Sequence, residues 1–193
     1  WHTIRFWDKE SKQTMSLDAT QVSMIDLGIH RYAGAIVEKE VSSRQEKLLT
    51  RGSDYDIVRD TIFLEVLIEG AFTLYALEEA RGRRNFYLRT SDGPELLRYR
   101  RYLQMIEGRP GTGEQRGFVE QLLAYAQECP VLQEDILNAQ YTRESLIAIF
   151  QDIYKCQDQR PDFFLGAEAF PQELGGDNRR SIPLHIGFLG GGR

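Results

Sequence analysis

Apolar and polar residues alternate through much of the first hundred positions, the period of strands whose side chains point to opposite faces in turn. Thr3 to Trp7 is a short aromatic and β-branched run that ends in the charged turn Asp8 to Lys12 and predicts a strand. Ser16 to Ile25 is ambiguous, because Ser16 or Asp18 is placed to cap a short helix with Val22, Met24 and Ile25 on its apolar side. Alternation returns from Ile29 to Ile36, and the charged stretch Glu38 to Arg51 predicts a surface helix or a loop. Thr61 to Glu69 carries the strongest strand pattern and is followed by Gly70 and a second run, Ala71 to Leu77. With Asn85 to Thr90 as a further strand closed by Asp92-Gly93, residues 71–90 predict a hairpin that turns near Ala80 to Arg83. Successive strands joined by short turns predict an antiparallel meander.

After Pro110 the period changes from two to 3.6. Phe118, Leu122, Leu123, Tyr125 and Ala126 predict a helix that ends at Cys129-Pro130, where proline forbids continuation. Val131, Leu132, Ile136 and Leu137 predict a second short helix. Thr142 is a good N-cap for a third, whose apolar stripe is Leu146, Ile147, Ile149, Phe150 and Ile153. The fold class is therefore α+β, an antiparallel sheet followed by a small three-helix unit. The divisions are a β-rich subdomain over 1–104, a helical subdomain over 114–157 and a linker over 158–181, where Phe163, Phe164, Leu165 and Phe170 anchor part of the chain to a surface. Ile182, Leu184, Ile186 and Phe188 then alternate with Pro183, His185, Gly187 and Leu189. That pattern suits a half-buried strand of a soluble sheet or a glycine-rich tail. It also suits residues 182–193 as the start of a first transmembrane β-barrel strand, in which lipid-facing and lumen-facing positions alternate, although on the pattern alone the soluble reading is preferred.

Composition narrows the classes. The 193 residues are 11% aromatic and 27% charged, which describes a chain that folds around a core. The net charge of -5 opposes non-specific nucleic-acid binding by the whole surface. No run of about 18 apolar residues is present for a membrane-spanning helix.

Two cysteines, Cys129 and Cys156, fall at the ends of the first and third predicted helices. If the short middle segment returns the chain, those helices run parallel and the two thiols come within bridging distance. The alternative is two unrelated buried thiols. His2, His30 and His185 stand alone, without the paired spacing of a metal site. Gly108 to Gly117 has the glycine spacing of a phosphate loop, but Glu114 and Gln115 stand where lysine and a hydroxyl must meet phosphate and magnesium, so a flexible loop between subdomains is expected. Arg81, Arg83, Arg84, Arg89, Arg98, Arg100 and Arg101 outnumber the carboxylates Asp92 and Glu95 within one short stretch, with Phe86, Tyr87, Tyr99 and Tyr102 interleaved. This is the composition of a single-strand nucleic-acid surface, but a solvated sheet face with arginine stems packed over tyrosines is the preferred reading. It leaves a docking surface for an anionic membrane or an acidic partner. Glu65 and Glu69 share a strand face, as solvent-facing positions do, and Ser16, Ser145 and Ser181 lack a nucleophile-elbow context. No catalytic, cofactor-binding or metal-binding set stands out.

The stretch Phe63 to Tyr75, then Phe86 to Gly93, then Leu96 and Tyr99, resembles the periplasmic N-terminal domains that precede outer-membrane β-barrels in Bacteroidota-type bacteria. Cys129, Tyr141, Tyr154 and Cys156 look like that family's two cysteine-ended helices, with Lys155 where asparagine is expected, and the likeness runs over about residues 15–193. The resemblance implies a location at the periplasmic face of the outer membrane, a bridged cysteine pair, and a non-enzymatic interaction or gating domain attached to a barrel. Its partners would be its own or a neighbouring outer-membrane barrel, proteins of the periplasm and the outer membrane itself, with no cofactor and no nucleic acid. The competing expectation is a free-standing soluble binding module that uses the arginine stretch for an anionic ligand or acidic protein partner.

Overall fold

A computed structural model of the chain describes residues 2–8, 11–79, 82–165 and 185–188. Twelve strands are seen among them: β1 Thr3–Asp8, β2 Gln13–Asp18, β3 Val22–Asp26, β4 Arg31–Glu40, β5 Ile57–Glu69, β6 Leu74–Glu78, β7 Arg84–Thr90, β8 Gly93–Leu96, β9 Arg100–Ile106, β10 Arg109–Gln115, β11 Phe163–Phe164 and β12 His185–Phe188. The helices are α1 Gly117–Tyr125, α2 Gln133–Asn138 and α3 Arg143–Cys156. The α+β class is thus observed, with antiparallel pairing in every named ladder. The main sheet has the order β12-β3-β4-β5-β6-β7-β8, with β11 added to β5. β1–β2 and β9–β10 are separate hairpins.

Although β4 and β8 lie four places apart in that order, they touch, so the sheet rolls over on itself. The inside of the roll is filled by Val37, Ile62, Leu64, Val66, Tyr75, Leu77, Tyr87 and Leu96. Leu74, Ala76, Phe86 and Leu88 take the outer face, where Phe118, Leu122, Leu146, Ile149, Phe150 and Ile153 of the helices cover them. A bulge between Val66 and Ile68 breaks the alternation and lets Leu67 and Ile68 both enter this second core. Both faces of β5 are therefore largely buried from Ile62 to Ile68, which is why that part of its sequence reads as a nearly continuous apolar run.

Three tyrosines of the helical unit supply hydrogen bonds to sheet backbone that has no ladder partner. The Tyr154 hydroxyl donates to the Phe72 carbonyl at 2.7 Å and accepts from the Phe72 amide at 3.0 Å. Tyr125 accepts from the Thr73 amide at 3.3 Å. Tyr141 donates to the Leu97 carbonyl at 2.7 Å and accepts from the Phe86 amide at 3.1 Å. Gly70, at φ 148°, lies so near that a Cβ there would sit 2.5 Å from the Tyr154 hydroxyl, so no other residue fits.

Several expectations are corrected. Ser16 to Ile25 forms the end of β2 and all but the last residue of β3 and no helix, because Asp18 accepts from the Thr20 amide at 2.9 Å and the Thr20 hydroxyl at 2.6 Å and so makes a tight turn. The stretch Glu38 to Arg51 takes the loop alternative once β4 ends at Glu40, with only the short 3-10 turn Glu46–Leu48 helical. The glycine-rich stretch is no loose loop. Most of it is β10, joined to β9 by the two-residue turn Glu107-Gly108, both at positive φ, so this hairpin crosses the expected boundary near 104–114. Within the expected linker, Phe163 and Phe164 pair with Glu69 and Ile68, while 166–181 lies outside the described residues. Of the expected barrel strand, residues 182–184 and 189–193 lie outside them too. His185–Phe188 pairs antiparallel with β3 at the edge of the main sheet.

Candidate functional site

The three-helix unit closes as its caps direct. The Thr142 hydroxyl accepts from the Ser145 amide and starts α3, and Cys129-Pro130 ends the turn after α1. Cys129 and Cys156 are joined, with 6.1 Å between their Cα atoms. Cys129 is buried and Cys156 is at the surface, where Gln157 Nε2 approaches the Cys129 sulfur at 3.4 Å.

The seven arginines singled out from the sequence do not form one surface. Arg81 lies outside the described residues. Arg100 is only 6% exposed and belongs to the interior, so it is withdrawn from the docking surface. Arg83 donates to Glu79 at 2.7 Å and to the Val41 carbonyl at 2.6 Å. Arg84 pairs with Glu78 at 3.0 Å, and Arg101 with Glu114 at 3.5 Å. Arg89 and Arg98 are the exposed pair. Strand alternation explains the scatter: neighbours on β7 and β9 point to opposite faces, so closeness in sequence is not closeness in space.

The roll's interior changes character along its length. Beyond Ile62 and Leu77 the inward positions become Asp60, Lys39 and Glu79, and the Lys39 ammonium, on a residue 9% exposed, donates to Asp60 at 2.6 Å and to Glu79 at 3.4 Å. Burial pushes both carboxyls toward protonation, but Lys39 for Asp60, and Arg83 with Lys39 for Glu79, more than offset it, and both pKa values fall below the ordinary range. Two carboxylates held ionised cannot serve as general acids near neutrality, so this charged stopper is an ion-pair cluster that closes the roll.

Next to it lies a second buried polar group. Glu40, 1% exposed, accepts from the Ser42 hydroxyl and from the Ser42 amide at 3.2 Å, and Arg100 approaches it at 3.7 Å while donating to Thr50 at 2.8 Å. Asn85 bridges the Glu40 carbonyl and Arg44, whose guanidinium stacks over Tyr99 and Tyr141. Burial raises both tyrosine hydroxyls to about 12. Tyr87, deeper in the roll, is raised further by the same cause, and its hydroxyl finds no hydrogen-bond partner among the described residues.

One cleft of about 250 Å³ opens between β5, β6 and the start of α3, lined by Phe63, Glu65, Ala76, Glu78 and Arg143. Arg143 bonds Glu65 and lies 3.9 Å from Glu78, while His30 approaches Glu65 at 3.4 Å. Glu65 and Glu69 are thus half-buried ion-pair partners, the latter of Arg31 at 2.8 Å, and not free solvent-facing carboxylates. Sequence reasoning missed this cleft because Arg143 stands 78 positions from Glu65 and only the packing of α3 brings them together.

Among the described residues, no group of three or more His, Cys, Asp and Glu side chains is placed to hold a metal ion, and no helix is long and apolar enough to cross a membrane. No family model, no curated protein and no solved structure matches this chain.

Proposed function

We propose that this chain is a non-enzymatic interaction or gating domain, held at the periplasmic face of the outer membrane ahead of a β-barrel. The observation that carries the reading is the Cys129–Cys156 bridge, since disulfides persist in oxidising compartments such as the periplasm and are rare where thiols are kept reduced. The ion pairs of the charged stopper and of the cleft support a binding role over a catalytic one, because their carboxylates are neutralised by arginine and lysine. Arg89 and Arg98, with the outer parts of Arg84 and Arg101, are the docking side chains for an acidic partner or the anionic membrane surface. The partner is the domain's own barrel, a neighbouring barrel or a periplasmic protein.

The second reading, a free-standing module for an anionic ligand or acidic protein, draws on a different observation: His185–Phe188 pairs with β3 within the sheet. Fractionation of cells making the natural full-length protein separates the two. The first reading expects the chain in the outer-membrane fraction with both thiols oxidised before lysis. Recovery as a soluble protein with oxidised thiols favours the module, and reduced thiols reject an exported location for both.

A further inference from the structure

We infer that the outer edge of β3 is a strand-acceptor site, filled in cis by the chain's own His185–Phe188 and open to the same segment of a second copy. The inference goes beyond the proposed function and does not depend on a barrel.

β3 is a core strand: Val22 and Ile25 are fully buried and, with Ala19 and Phe63, form a cluster of their own. One edge of β3 pairs with β4, and the other presents backbone groups that need a partner strand. β12 supplies it in antiparallel register, with His185 opposite Asp26, Ile186 opposite Ile25 and Gly187 opposite Met24, before the pairing slips by one at Phe188. Ile186 is half-buried and packs against the β3 cluster.

The attachment of this strand differs from that of every other strand in the sheet. β11 is pinned next to β5, with Phe163 buried under the Arg31 guanidinium and the Leu165 amide bonded to the Leu67 carbonyl at 2.9 Å. Nineteen residues, 166–184, then separate it from β12. Fully extended, such a connection spans up to about 65 Å, more than the width of a domain of this size. A connection of that length is long enough to reach the β3 of a neighbouring copy as well as its own. The contacts formed are identical in the two cases, so the choice is set by concentration and by the entropy of the connection, which is the condition for strand exchange in a symmetric pair. The second copy is the occupant committed to because its segment already fits this edge, residue for residue.

The test mixes two full-length variants, Asp26→Cys and His185→Cys, carrying tags of different size, under mild oxidation. Asp26 and His185 are opposite each other in the register, so a covalent heterodimer forms only when a strand from one copy sits on the edge of another. The expected result is a heterodimer whose fraction rises about tenfold for each tenfold rise in chain concentration while the monomer dominates. The same two substitutions in one chain should bridge internally at high dilution. Internal bridging without any heterodimer at high concentration overturns the inference, as does a heterodimer fraction independent of concentration. Should either variant fail to fold, hydrogen exchange on the unaltered chain decides. Release of the β3 amides that face β12 at least tenfold faster than those that face β4 supports exchange, and equal protection rejects it.

Discussion

Opening the Cys129–Cys156 bridge should destabilise the domain without dissolving it. The bridge spans a sequence separation of 27, and a closed loop of that length removes about 3.5 kcal/mol of conformational freedom from the unfolded chain. The folded state loses little, because the helices are held by Phe118, Leu122, Phe150 and Ile153 against the sheet, and by hydrogen bonds of Tyr141 and Tyr154 with its backbone. Far-UV circular dichroism should therefore be unchanged on reduction at room temperature. In a chain of 193 residues, each kcal/mol displaces the thermal midpoint by about 2–4 °C, so reduction should lower it by about 7–14 °C. The denaturant dependence should steepen at the same time, because the reduced unfolded chain exposes more surface. The assay is paired urea and thermal unfolding with and without reductant, repeated on the Cys129→Ala, Cys156→Ser double variant as a reductant-free control. A drop smaller than about 1 kcal/mol would refute the loop argument. Two reactive thiols per chain in denaturant without reductant would refute the bridge itself.

Four other outcomes are expected. Acid should weaken the fold through Asp60 and Glu79: both are depressed, so their stabilisation is complete above the ordinary values of 3.8 and 4.5 and is lost as pH falls through the lower folded values. A Lys39→Met variant should show a flatter acid branch in thermal midpoint against pH, and an unchanged branch would remove Lys39 from the account. Tyr141→Phe strips the Phe86 amide and the Leu97 carbonyl of their buried partner and should cost about 1–3 kcal/mol in urea unfolding, against almost nothing if water takes its place. Gly34→Ala forces a Cβ to 2.0 Å from the Val22 carbonyl oxygen, a backbone atom that cannot swing away, and should cost at least about 3 kcal/mol or abolish folding; a neutral result would displace β3 from its position over Gly34. Labelled single-stranded oligonucleotide near physiological salt should not bind tightly, since Arg100 is buried and Arg83, Arg84 and Arg101 are ion-paired, and a steep salt dependence of binding would contradict this.

The sequence made the regular parts readable wherever one period held over many residues. β5, the β6–β7 hairpin, the three helices and the Thr142 cap all follow from local pattern and local chemistry. The β9–β10 hairpin was hidden because glycine and proline dominate β10, and its identity rests on a ladder with Arg100 to Ile106 and on the turn Glu107-Gly108. The roll of the sheet was not legible at all, since contact between β4 and β8 is a consequence of accumulated twist. That single unseen step places Lys39, Asp60, Glu79 and Asn85 on the inside of the roll. The arginine stretch is not one surface for a different reason, because it crosses three strands whose successive side chains point to opposite faces.

The tyrosine that completes the link between β5 and β6 is made late. Phe72 and Tyr154 are 82 positions apart, so at ordinary elongation rates of 5–20 residues per second the Phe72 backbone waits about 4–16 s for its partner to be synthesised. During that interval the outer face of the sheet, with Leu74, Ala76, Phe86 and Leu88, first has no helix over it and then only α1, until α3 is complete. A chain of this design emerges with this apolar face uncovered and has its cover encoded downstream of it. It should depend on a holding chaperone in proportion to the delay, and slowing elongation between residues 90 and 154 should raise its aggregation even though the mature protein is unaltered.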